Sequence, residues 1–167
     1  MSKLNKMKLG IIIICYNNEG DIDVGHCAKY LNKVKDIEIC LVNNHSKDNT
    51  YEILKELKQN CENVSVVNIK KFKPDSSAVK AGARFMSNQF NLKYLGFVTM
   101  HRMREYEDLN RLLKDIRNHK GALLEYNQSF LNKKGIKLTM FQSLFPVIDY
   151  LEKMQLKNEY STLNQAG

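Results

Sequence analysis

Four short apolar runs, each followed by a stretch with helical spacing, constrain this chain more than any other feature. Residues 10–15 read Gly-Ile-Ile-Ile-Ile-Cys. A continuous β-branched run of this kind predicts a strand buried on both faces, not an amphipathic one. Residues 37–42, 64–69 and 94–98 are further strand candidates, and residues 123–126 are a fifth. Residues 21–34, 78–88 and 109–116 carry helical patterns between them. A helix is also expected after Asn49, which can cap it with Glu52 three residues on, and Ile53, Leu54 and Leu57 would form its apolar face. Residues 70–77 read as a loop, and residues 138–156 as one or two helices interrupted near Pro146. Gly82 weakens its helix by about 1 kcal/mol relative to alanine, which suggests close packing against a sheet.

This alternation predicts βαβ units: an α/β three-layer sandwich with a mostly parallel sheet. Right-handed crossovers put the strand C-terminal ends on one edge. Tyr16-Asn17, Asn43-Asn44 and Thr99-Met100-His101 should therefore gather there.

The chain has 167 residues, enough for one domain. The expected organisation is a single domain over residues 1–157 and a flexible tail over 158–167. No apolar run approaches the ~20 residues of a membrane span. The basic start lacks the apolar length and cleavage site of a signal peptide. Cys15, Cys27, Cys40 and Cys61 form no Cys-x-x-Cys pair, and Cys15 and Cys40 fall in apolar runs. A reducing, cytoplasmic setting without disulfides is expected. The net charge of +8 favours anionic partners such as a nucleoside diphosphate or the inner face of an anionic membrane, although a solvated lysine-rich surface gives the same balance. No zinc-finger or aromatic RNA-binding signature accompanies the charge, so nucleic acid is not expected.

Three blocks resemble family 2 glycosyltransferases. Ile11 to Glu19, reading Ile-Ile-Ile-Ile-Cys-Tyr-Asn-Asn-Glu, is similar to their first strand and loop. Leu41-Val42-Asn43-Asn44-His45-Ser46-Lys47-Asp48-Asn49-Thr50 resembles their second strand end and nucleotide-contacting loop. Ser77 to Met86 resembles the helix before their metal-binding strand. The resemblance implies a GT-A fold and a nucleotide-sugar donor, most simply a UDP-sugar. It implies that Tyr16, Asn17, Asn43, Asn44 and Ser46 bind the nucleotide, with Asn43 standing where the family has an aspartate. Asparagine keeps an acceptor carbonyl but loses the charge that strengthens such a bond. Asn43-Asn44 is equally readable as a turn at a strand end.

Two departures follow. The family places an Asp-x-Asp metal motif after its fourth strand, whereas this chain has Thr99-Met100-His101. Mg²⁺ and Mn²⁺ favour carboxylate oxygens, so no metal site of the usual kind is expected. His101, Arg102 and Arg104 form a basic cluster there, readable as a substitute diphosphate site or as a solvated turn. The second departure is length: the fold is expected to be truncated at its acceptor-binding C-terminal half. Glu105, Glu107, Asp108, Asp149 and Glu152 are available acids, but no motif marks a catalytic base among them. Two readings remain open: sugar transfer that is impaired or independent of metal, and a non-catalytic binding or regulatory module. In either, a protein partner or second copy would cover the missing half.

Overall fold

The computed structural model describes residues 9–106, 108–134 and 143–165. The sheet contains β1 (Leu9–Cys15), β2 (Ile37–Asn44), β3 (Val64–Ile69), β4 (Tyr94–Val98) and β5 (Phe145–Pro146), in the order β3-β2-β1-β4-β5. Every pairing is parallel. The helices are α1 (Val24–Leu31), α2 (Thr50–Asn60), α3 (Asp75–Gln89), α4 (Met100–Glu105), α5 (Leu109–Lys134) and α6 (Val147–Gln165), and a 3₁₀ turn spans Glu19–Asp21.

The central strand explains its own sequence. Every residue of β1 is buried. Leu9, Ile11, Ile13 and Cys15 enter a core shared with α1, α2, α5 and α6. Ile12 and Ile14 point the other way, into a core with Ala78, Val79, Ala83 and Met86 of α3. A strand with helices on both faces must be apolar at every position, so the period-2 alternation disappears. Gly82 lets α3 approach the sheet: a Cβ there would lie 2.7 Å from Ile12 Cγ2 and 3.1 Å from Val42 Cγ2.

The first four strands lie where the sequence predicts, with β2 running on to Asn44. Several other expectations are corrected. Residues 21–34 hold only the end of the 3₁₀ turn and the shorter α1, capped by Asp23, whose side chain accepts from the His26 N–H. Part of the expected loop at 70–77 is helical, since α3 starts at Asp75 directly after Pro74. Residues 123–126 are not a strand but the middle of the 26-residue α5. Leu123 and Leu124 are buried there and Asn127 is buried one turn on, a helical spacing. The fifth strand is the two-residue β5, with its proline on the outermost strand, where a missing N–H is tolerated.

Of the helical expectation at 138–156, residues 138–142 lie outside the described residues, and the remainder supplies β5 and α6. α6 runs from Val147 to Gln165. Residues 158–165 contain no proline or glycine to stop it. All four cysteines are free and buried. Burial pushes the thiols of Cys15, Cys27 and Cys40 up to about 12, so they are inert hydrophobes at neutral pH. No helix among the described residues is long and apolar enough to cross a membrane.

Candidate functional site

The parallel sheet brings the ends of β1, β2, β3 and β4 to one edge. The loops after β1 and β2 are bonded to each other reciprocally. Asn17 N–H donates to Ser46 Oγ at 3.1 Å, and Lys47 N–H donates to Asn17 Oδ1 at 2.9 Å. Asn17 and His45 both have positive φ, 50° and 57°. Asparagine and histidine are among the residues that tolerate this left-handed conformation.

A second layer of bonds fixes the start of α2. Asp48 accepts from Thr50 N–H at 2.9 Å, from the Thr50 hydroxyl at 2.5 Å and from Glu19 N–H at 3.2 Å. Thr50 Oγ1 in turn accepts from Asn18 N–H at 2.8 Å. Burial acts to raise the Asp48 carboxyl, but these hydrogen bonds outweigh it and hold the group below the usual carboxylate range. The capping expected of Asn49 is corrected. Asn49 makes no side-chain cap, and its amide instead donates to Glu19 Oε1 at 2.9 Å. Asp48 reaches the Thr50 N–H, so it is the residue that serves this helix end.

Asn43 and Asn44 are buried and do different things. Asn44 donates to the Lys73 carbonyl at 2.8 Å and accepts from Lys73 N–H at 3.0 Å, a two-point clamp on the loop after β3. Asn43 donates to Asn68 Oδ1 at 2.9 Å and accepts from Ser46 N–H at 3.4 Å. The parallel register sets Asn43 beside Asn68, so the third strand's penultimate residue belongs to this site too. Asn43, Ser46, Asp48, Tyr51, Asn68 and Lys70 line a cavity of about 350 Å³.

Tyr16 faces elsewhere on the same edge. Its ring meets Phe72 edge-on at 5.2 Å, and the Arg104 guanidinium lies 5.5 Å from its centre. The site residues proposed from the sequence thus separate into pocket lining (Asn43, Ser46), loop fasteners (Asn17, Asn44) and an aromatic edge (Tyr16).

The end of β4 is a different environment. Thr99 caps α4 by accepting from Arg102 N–H at 3.3 Å. Met100 N–H donates to Asp75 Oδ1 at 3.0 Å. The donor set at the strand end is a hydroxyl already engaged as a cap, a soft thioether, one imidazole and one carboxylate already accepting a backbone N–H, while the neighbouring carboxylates Glu105, Asp149 and Glu152 are paired with Arg102. It does not fit Mg²⁺ or Mn²⁺, which require several hard oxygens. No cluster of three metal-ligating side chains occurs among the described residues.

The basic cluster divides in the same way. Arg102 pairs with Glu105, with Asp149 at 3.1 Å and with Glu152 at 2.7 Å. Burial would lower its pKa, but these carboxylates raise it, so Arg102 stays charged and joins α4 to α6. His101 pairs with Glu105 at 3.1 Å. Arg104 is the member that reaches the Tyr16 edge.

A separate cavity of about 560 Å³ lies between α5 and α6, lined in part by Tyr106, Asp115, His119, Tyr126 and Met154. The Tyr106 hydroxyl donates to Asp115 in its wall. Sequence reasoning missed Glu19, Thr50, Asn68, Phe72 and Asp75 at the strand edge. Glu19 and Thr50 lay within the blocks that carry the family resemblance, and Asn68 had the signal of a polar residue near the end of a third apolar run.

Among solved structures, a crystal structure of S. aureus TarS 1–349 is similar, with a TM-score of 0.44 at 18% identity. The match covers 68% of this chain and 33% of that one, so this chain spans about a third of its length. No curated protein matches the chain. The profile of "Glycosyl transferase family 2" matches residues 10–163. With its parallel sheet and helices on both faces, the chain has a GT-A-like α/β fold and belongs to glycosyl transferase family 2.

Proposed function

We propose that this glycosyltransferase-like domain binds a nucleotide sugar, with UDP as the simplest nucleotide, in the cavity at the β2 and β3 ends. In this reading the domain handles the diphosphate without the divalent metal its relatives commonly use. The carrying observation is the pairing of a built polar pocket around Asn43 with a β4 end whose donors do not fit such a metal. Asn43 Oδ1 would accept from the base or ribose, with its orientation fixed by the bond to Asn68. Lys70 lines the same cavity, and Arg104 lies at the Tyr16 edge. In this reading both would offer positive charge to phosphate oxygens, the electrostatic part of what a metal supplies.

Calorimetric titration with UDP, with and without Mn²⁺, tests this reading. The expected result is binding of similar strength in both, weakened about tenfold by Asn43→Ala, the loss of one good hydrogen bond. Binding only with Mn²⁺ would overturn metal independence, and no binding would overturn the nucleotide site.

A second reading, binding without transfer, is favoured by Arg102. Of the three basic side chains near β4, it is the one held by three carboxylates, directed mainly at α6 and not at a donor phosphate. Release of UDP from a sugar nucleotide, above the rate without protein, would count against it. A second copy or a partner completing an acceptor site belongs to the first reading. A monodisperse monomer that captures no partner would remove it.

A further inference from the structure

We propose that residues 70–93 form a docking surface for an anionic lipid membrane, with Phe72 as the side chain that enters the interface. Charge on this chain is unevenly placed. Residues 70–93 hold six basic side chains, Lys70, Lys71, Lys73, Lys80, Arg84 and Lys93, against one acid, Asp75. That excess of five is most of the chain's net +8. All six basic residues are exposed. The one acid is turned to the strand edge, where it accepts from the Met100 N–H.

The structure makes this run one continuous feature. The loop after β3 feeds directly into α3, the helix that covers the second face of the sheet. Lys80 and Arg84 lie four residues apart on the outer side of α3, away from the buried Ala78, Gly82 and Met86. On the opposite face, α2 balances Lys55 and Lys58 with Glu52 and Glu56, while α5 carries Arg111, Lys114, Arg117 and Lys120 against Asp115 and Glu125. It is therefore the exposed ring between two lysines, and not charge alone, that singles out residues 70–93. Arg102 is spent on carboxylates.

Phe72 selects lipid over other anions. It is 46% exposed, and it sits between Lys71 and Lys73. The loop that presents it is held firm by the Asn44 clamp on Lys73. An apolar ring on a short, braced loop can enter the headgroup–acyl boundary while flanking ammonium groups stay among lipid phosphates. Each lysine near an anionic bilayer adds to the attraction, which salt weakens. The same loop borders the Tyr16 edge, so docking would turn the candidate site towards the membrane. The inference does not depend on sugar transfer.

Sedimentation with phosphatidylcholine vesicles, alone or mixed with phosphatidylglycerol, tests the proposal. The expected result is partition onto the anionic vesicles only, decreasing as salt rises. Lys71→Glu with Arg84→Glu should weaken partition about tenfold or more, while Lys29→Glu with Lys58→Glu on the other face should change it less than about twofold. The chain has no tryptophan, so Phe72→Trp supplies a single reporter. Its emission should shift to the blue on anionic vesicles.

Absent partition, an equal loss from the Lys29 and Lys58 pair, or an unshifted tryptophan would each overturn the proposal. Binding to soluble polyglutamate without vesicle partition would assign the face to an acidic protein and overturn it as well. Circular dichroism of each variant excludes unfolding as the cause of a loss.

Discussion

The β1–β2 corner and the β4–α4 corner lie on the same sheet edge but are built in opposite ways. At the first, side chains bond mainly to loop backbone: Asn17 to Lys47, Asp48 to Thr50 and Glu19, and Asn44 to Lys73. At the second, charged side chains bond to one another across helices, with Arg102 gripping Asp149 and Glu152. Loop backbone that is bonded by side chains can hold an open, polar shape without being filled, and a cavity is left there. Charges that satisfy each other leave little for a ligand. One corner therefore keeps an open polar cavity, while the other holds α4 and α6 together.

The strongest way to break this contrast is Asn44→Ala. It would remove both bonds to the backbone N–H and carbonyl of Lys73, and the expected loss is about 2 kcal/mol, read as a lower midpoint in urea. A loss no larger than that of a surface substitution would mean that the clamp does not brace the loop.

Asp48→Ala comes next. It removes the acceptor at the start of α2 and should cost about 1 kcal/mol, with a lower thermal midpoint. The pH dependence has a definite sign. A carboxyl held below its ordinary 3.8 contributes stability above that value and loses it as pH falls through the lower folded value. Acid titration of unfolding should therefore show a contribution below about pH 4 that Asp48→Asn removes. The persistence of that contribution in the variant would assign it to other carboxylates.

The smallest effect is expected from Arg102→Met, below about 1 kcal/mol, because partly exposed ion pairs gain little net energy. The same variant tests the functional contrast. If Arg102 only joins helices, UDP affinity should be unchanged, whereas a tenfold weakening would place it at the phosphates.

The framework of this fold was legible because its central strands are extreme. Residues 10–15 are apolar at every position, and only a strand covered on both faces needs that. The misreadings fall where period and length give opposite answers. Leu123-Leu124-Glu125-Tyr126 has strand-like content, but it lies within a long helix whose neighbouring polar residues hide the stripe. β5 is two residues long and contains Pro146, too little pattern for any rule to detect.

At the site, the edge and the loops could be read from strand order. The partners could not. Asn44 and Asn43 are neighbours of the same type, yet one fastens a loop and the other lines a cavity, a choice made by the residues facing them across the sheet. The basic residues near β4 looked alike in sequence for the same reason, because Asp149 and Glu152 come from a helix some fifty residues on.

The position of β1 also bears on how the chain reaches this structure. β1 is flanked on one side by β2, which follows it closely, and on the other by β4, in a register that sets Leu9 beside Tyr94. Its second edge stays bare until the chain has closed a loop of more than eighty residues, an entropic hurdle that slows assembly of the sheet's centre. During synthesis, every nascent chain ending before Tyr94 carries an uncovered run of isoleucines with unpaired backbone, the condition under which strands pair with the wrong neighbour. Pulse-labelling hydrogen exchange during refolding should find the amides shared by β1 and β2 protected before those that join β1 to β4.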